Sequence, residues 1–244
     1  MSSIKRSDLQ YFDPDTDSTM VWRKLPHLAQ AGTLCFITLR TADSLPEDVV
    51  ERMTKQREQL LRRHHIEPGE GWKASLAQLK PDVRAGVYWA IFKAWDNELD
   101  TSCGACVLRN PELSQIVMNS LLHFDNERYF LTDAVTMPNH VHLIAAFRDE
   151  ESLLTQCTSW KHYTATRINR WLWKNNANSA DGAAELRMVA APSARPKTEF
   201  WQTDQFDHLI RNEVDFDRYR KYIAENPAAA KLRDGEYRYY CKSM

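Results

Sequence analysis

The sequence predicts an α+β fold, an antiparallel sheet with helices packed against it, on three observations. Residues 129–135 and 140–147 are apolar, strand-forming runs separated by Met137-Pro138-Asn139, turn chemistry that pairs them as an antiparallel hairpin. Residues 34–39, Leu-Cys-Phe-Ile-Thr-Leu, are a third short run of strand formers. From 151 to about 174, Leu153, Cys157, Trp160, Thr164, Ile168 and Trp171 fall in one narrow stripe at helical spacing, the pattern of a helix that lays one face on a sheet.

Taken in order, residues 1–22 are polar and irregular and read as a flexible N-terminal arm. A single domain is expected over 23–235. After the 34–39 strand, Ser44-Leu-Pro-Glu47 resembles a capping box, with Ser44 and Glu47 able to satisfy backbone N–H groups at the start of a helix running to about 65. A second helix is expected from about 82 to 95, with Val83, Val87, Ile91 and Trp95 near helical spacing. Asn110-Pro111 places a capping side chain and a first-turn proline at the start of a third, whose apolar positions reach Phe124. Residues 175–198, rich in Asn, Ala, Ser and Pro without a period, read as a flexible insertion. A last helix from about 213 is expected to stop before Asn226-Pro227, because the residue ahead of a proline avoids helical geometry. Residues 236–244 complete the chain as a tail.

At 244 residues the chain can bury a sizeable core, and 32 basic against 33 acidic residues give a net charge of −1. Any nucleic-acid surface must therefore come from local segregation of charge. No run approaches the about 18 apolar residues that span a bilayer, and the N-terminus lacks a signal-peptide core, so no membrane association and a cytoplasmic location are expected. Five cysteines, an odd number without an export signal, argue against a disulfide framework. Cys103 and Cys106 form a lone C-x-x-C with no second pair at zinc-like spacing, and read as a loop with two small thiols.

The chemistry concentrates at Thr136-Met-Pro-Asn-His-Val-His-Leu-Ile144. Successive strand residues alternate sides, so His140 and His142 point together while Val141 and Leu143 point away, and two imidazoles on one side are half of a metal site. On the 151–174 helix, Tyr163 sits at the edge of the apolar stripe with Gln156, Arg167, Arg170 and Lys174, cations that suit phosphate. Taken alone, an H-x-H on a strand is more often a satisfied or surface pair than a ligand pair, and an edge tyrosine is ordinary packing. Trp160, Trp171, Trp173 and Trp201 could stack on unpaired bases; Trp160 and Trp171 fall in the buried stripe, which leaves Trp173 the better stacking candidate.

Met137-Pro-Asn-His-Val-His-Leu143, followed by Trp160-Lys-His-Tyr-Thr-Ala165 and Ile168-Asn169, resembles the REP-associated tyrosine transposases, relatives of the single-tyrosine HUH insertion-sequence transposases. Leu25-Pro-His27, Phe36-Ile-Thr38, Arg128-Tyr-Phe-Leu131, Trp201-Gln202, Phe206-Asp-His208, Ile210-Arg211 and Tyr222-Ile-Ala-Glu-Asn-Pro-Ala-Ala-Ala230 extend the likeness over most of 25–232.

The resemblance implies an HUH endonuclease-like sheet with a ferredoxin-like or RRM-like core and the H-x-H on a central strand. It also implies a divalent metal, Mg²⁺ or Mn²⁺, on His140 and His142, with Tyr163 as the nucleophile beside it. The implied activity is cleavage and rejoining of single-stranded DNA at repeated palindromic, REP-like hairpins through a 5′-phosphotyrosine. Arg167, Arg170, Lys174 and Trp173 are the expected DNA contacts, and the protein a monomer or homodimer. Relatives can take a third metal ligand from the residue four after the tyrosine, which here is Arg167, a cation that cannot coordinate one; the third ligand stays open. Tyr219 and Tyr222 are alternative nucleophiles. Rival readings are a domesticated hairpin-binding protein without cleavage activity, and a hydrolase with a histidine nucleophile, for which no third histidine lies near the pair.

Overall fold

The computed structural model describes residues 9–13, 15–22, 26–44, 47–69, 71–80, 83–84, 86–87, 89–91, 93–94, 104–177 and 199–243. They divide into two compact units, residues 43–104 and the remainder, where the sequence predicts a single domain. The smaller unit carries helices α1 (Glu47–Arg63) and α2 (Trp72–Ala77), and helical residues between 83 and 94. Its apolar positions form their own cores, Leu61, Ile66, Leu76 and Val87 in one and Val49 with Met53 in another. Cys103 and most of the insertion expected at 175–198 lie outside the described residues.

The larger unit is an α+β structure built on a five-stranded antiparallel sheet. Strands β1 (Thr19–Trp22) and β2 (Pro26–Ala29) form a separate hairpin. β3 (Leu34–Arg40), β4 (Tyr129–Thr136), β5 (His140–Phe147), β6 (Phe206–Leu209) and β7 (Arg238–Cys241) assemble in the order β6-β3-β5-β4-β7. The histidine strand β5 is therefore central, paired on both sides, and nearly every residue in it is buried. Two expectations are corrected at the ends of the chain. The N-terminal arm includes strand β1, and Leu34 N–H donates to the Gln10 carbonyl, so backbone pairing holds part of a polar segment. The C-terminal tail includes β7, which covers the β4 edge with Tyr240 opposite Ala134.

Alternation along the strands gives the sheet two different faces. Cys35, Ile37, Leu39, Val141, Leu143 and Ala145 join one core with helices α3 (Pro111–His123) and α4 (Glu150–Ala177). Phe36, Thr38 and Arg40 stand across the ladder from Ile144, His142 and His140 on the other face, under helix α5 (Glu213–Ala229). A register shift in β4 between Leu131 and Asp133 keeps Leu131 and Ala134 on the first face and sends Asp133 and Val135 to the second. Asn110 caps α3 as the sequence predicts, its Oδ1 accepting from Glu112 N at 2.9 Å, and at the start of α5 Asn212 Oδ1 accepts from Asp215 N at 2.9 Å.

α5 does not stop before Pro227. The helix runs on to Ala229 with Pro227 inside it. A proline in the last turn forfeits one backbone hydrogen bond, while Asn226 and Pro227 are both buried and the carbonyls of Asn226 and Pro227 accept from Ala230 and Leu232. Continuing the helix keeps Asn226 on the face turned to the sheet.

Candidate functional site

His140 and His142 project from β5 to the same side, with ring centroids 4.6 Å apart and both side chains buried. His140 Nδ1 donates to Asn139 Oδ1 at 2.7 Å, and His142 Nδ1 lies 2.8 Å from Thr38 Oγ1. An amide oxygen only accepts, so Asn139 fixes the His140 proton on Nδ1 and leaves Nε2 as a lone pair; the Thr38 hydroxyl can donate or accept and holds the His142 ring in either tautomer. His140 Nε2 is buried with no hydrogen-bond partner. Burial, reinforced by the Arg40 guanidinium, pushes the His140 pKa down to about 3. Burial, the neighbouring His140 and Arg40 push His142 well below its usual value. Both imidazoles are thus neutral at pH 7, the state in which they bind metals.

The nearest aromatic hydroxyl belongs to α5. Tyr222 Oη lies 3.5 Å from His142 Nε2, and its ring packs edge-on against His142 at 5.3 Å and Phe36 at 6.0 Å. Tyr219, one turn earlier, stacks on Phe36 at 4.5 Å and is fully buried, and burial raises its phenol well above the usual range. Of the two, Tyr222 is the one only partly buried and in reach of the imidazoles.

Asn226 follows Tyr222 by one turn. Its side chain is 2 % exposed, and neither Oδ1 nor Nδ2 has a hydrogen-bond partner. An orphaned buried amide costs about 1–3 kcal/mol, so it calls for an explanation. Among the described residues no three His, Cys, Asp or Glu side chains group as a metal site. The candidate donors are the two neutral imidazoles on β5 and, one turn past Tyr222 on the helix that packs over them, the buried amide of Asn226. That set suits a divalent cation such as Mn²⁺, with imidazole and oxygen donors and further positions for substrate oxygens.

The structure does not bring Tyr163 to the histidines. Its helix packs by Leu153, Cys157, Trp160, Ile168 and Leu172 on the opposite face of the sheet, and Tyr163 itself is 51 % exposed. The strand alternation that points the histidines one way points Val141 and Leu143 toward the Tyr163 helix. Arg167, Arg170, Lys174 and Trp173 share that helix and are exposed, away from the imidazoles. Trp160 and Trp201 are buried, with indole N–H groups donating to Tyr129 Oη at 3.3 Å and Thr164 Oγ1 at 2.8 Å, so neither is open to a base. Tyr222 and Asn226 carried a sequence signal of their own. With Tyr219 and Ile223 they fall within about 100° of one another at 3.6 residues per turn, a single helical face holding two polar groups among apolar ones.

No helix among the described residues is long and apolar enough to cross a membrane. No family model and no curated protein matches the chain. Among solved structures it is similar to one described as the REP-associated tyrosine transposase bound to a REP hairpin, at 13 % identity and a TM-score of 0.37, covering 86 % of this chain and 73 % of that one.

Proposed function

We propose that the chain is a metal-dependent nuclease and strand transferase acting on single-stranded DNA, with Tyr222 in the role the sequence reading gives to Tyr163. The observation that carries this is the Tyr222 hydroxyl 3.5 Å from the Nε2 of a neutral histidine, beside a second histidine whose Nε2 is buried and unpartnered. His140 and His142 would hold the cation, with the Asn226 amide oxygen as third ligand; Asn226 is the residue four after Tyr222, the position where Arg167 stands relative to Tyr163. A cation held there would supply charge stabilisation for a phosphoryl oxygen. Tyr222 gives up its phenolic proton to solvent and its oxygen attacks the scissile phosphorus; the bond to the 3′-oxygen breaks, that oxygen takes a proton from solvent, and the strand is held as a 5′-phosphotyrosine with a free 3′-hydroxyl, which reverses on rejoining. Arg40, across the ladder from His140, adds fixed positive charge beside the pair. The resemblance of Met137-Pro-Asn-His-Val-His-Leu143 supplies the substrate class, palindromic elements that fold as hairpins.

The test is incubation of the protein with end-labelled single-stranded oligonucleotides carrying palindromes, in Mn²⁺ or EDTA, on a denaturing gel. The reading expects a Mn²⁺-dependent nick with label transferred to protein, lost in Tyr222→Phe and His140→Ala. Tight hairpin binding with no nick under any metal would overturn it in favour of the domesticated binder.

A further inference from the structure

Helix α4 carries a surface that the metal centre does not use. Between Glu151 and Asp181 the sequence contains no acidic residue, in a chain whose overall charge is −1. At 3.6 residues per turn, Tyr163, Arg167, Arg170 and Lys174 fall within about 60° of one another, along about 16 Å of helix. All four are exposed, and none of the three cations makes an ion pair among the described residues. Trp173 flanks the stripe and is 60 % exposed, although Trp160 and Trp171 on the same helix direct their indole N–H groups to Tyr129 and Glu112. Isolated exposed aromatics are common, but two of them along a row of exposed cations match single-stranded nucleic acid, in which phosphates and unstacked bases alternate.

We propose that this flank of α4 is a second DNA-contact surface, which holds a single strand on the face of the sheet opposite the one bearing His140, His142 and Tyr222. The proposal rests on the nuclease reading for its choice of DNA. Arg167, Arg170 and Lys174 neutralise phosphates, and Trp173 and Tyr163 stack on bases. Because the sheet separates the two surfaces, a strand on α4 is not the strand segment being cut; the surface anchors flanking sequence.

The experiment measures fluorescence anisotropy of a labelled oligothymidine, which forms no hairpin, over a salt series. It uses the wild type, an Arg167→Ala/Arg170→Ala/Lys174→Ala triple variant, Trp173→Ala, and Lys55→Ala, an exposed cation off the stripe, as reference. The expected results are unchanged affinity in Lys55→Ala, about tenfold weaker binding in Trp173→Ala, and a salt slope shallower by about 2 in the triple variant. Equal affinity and slope in a triple variant with wild-type thermal unfolding would overturn the proposal. So would an effect confined to duplex DNA, since duplex offers no base face to Trp173. Loss of the nick on hairpin substrate in Tyr222→Phe is read separately: cleavage with no effect of the stripe sinks only this surface, and stripe-dependent binding without cleavage sinks only the nuclease reading.

Discussion

Substituting Tyr222 by phenylalanine removes one oxygen and leaves the ring, so the structure sets separate expectations for stability and for chemistry. The lost contact is a 3.5 Å hydrogen bond to His142 Nε2, beyond the usual range, and the ring keeps its edge contacts with His142 and Phe36. Stability should therefore change by no more than about 0.5 kcal/mol, the low end for a hydrogen bond. The covalent adduct, in contrast, should vanish, because no other hydroxyl replaces the nucleophile. Tyr163→Phe should leave the adduct unchanged: a nucleophile has to approach within about 3.5 Å of phosphorus, whereas stacked layers lie about 10 Å apart and Tyr163 is on the far side of the sheet. Urea denaturation reads the first quantity, and label transfer to protein on a denaturing gel reads the second. An adduct that persists in Tyr222→Phe and disappears in Tyr163→Phe would refute the placement of the nucleophile on α5.

Three further outcomes follow from the same geometry. Mn²⁺ at a hundredfold excess over its dissociation constant should stabilise the fold by about 2.7 kcal/mol, and His140→Ala should abolish the shift in a thermal melt; an equal shift in the variant would move the metal elsewhere. Burial holds the His140 pKa at about 3, below the about 6.5 of an unfolded histidine, so the unfolded chain takes up a proton the folded one refuses. Its contribution is complete above pH 6.5 and is lost as pH falls toward 3, at about 1.4 kcal/mol per unit. A His140→Asn variant should flatten that slope in metal-free denaturation curves, and an unchanged slope would contradict a buried neutral ring. Arg220 Nε meets both carboxylate oxygens of fully buried Asp133 at 3.0 and 3.1 Å. With Arg220 itself partly exposed, Arg220→Ala should cost about 2–3 kcal/mol in urea, mainly through the charge it strands, and a loss under about 0.5 kcal/mol would show that Asp133 is satisfied without it.

Periodicity made the sheet legible. The hairpin around Pro138, the 34–39 strand and the cap at Asn110 obey local rules, and the structure follows them. Strand β7 was not legible, because Arg238–Cys241 shows no apolar face of its own and gains order from pairing with β4. The same division runs through the site. The histidines were visible because strand alternation is a property of three adjacent residues. The tyrosine beside them was not, because the motif around Tyr163 and its neighbouring cations drew the reading to that helix, while the choice of which helix covers which face is decided by long-range packing. Pro227 added to the error by marking a helix end ahead of Asn226, although the proline sits inside the last turn and the asparagine stays on the buried face.

The central position of β5 divides the site by its freedom to move. His140 and His142 have laddered neighbours on both sides, so their amides can exchange with solvent only when the sheet itself opens. Tyr222 and Asn226 ride on a helix that touches the sheet through side chains alone, and such an element can lift in a sub-global opening while the strands stay paired. Hydrogen exchange should therefore show two rates within the candidate site, the slowest amides at the histidines and faster ones along α5. Under the proposed strand transfer, the histidines would be the fixed half of the site, and α5 the half whose lifting lets a product strand go.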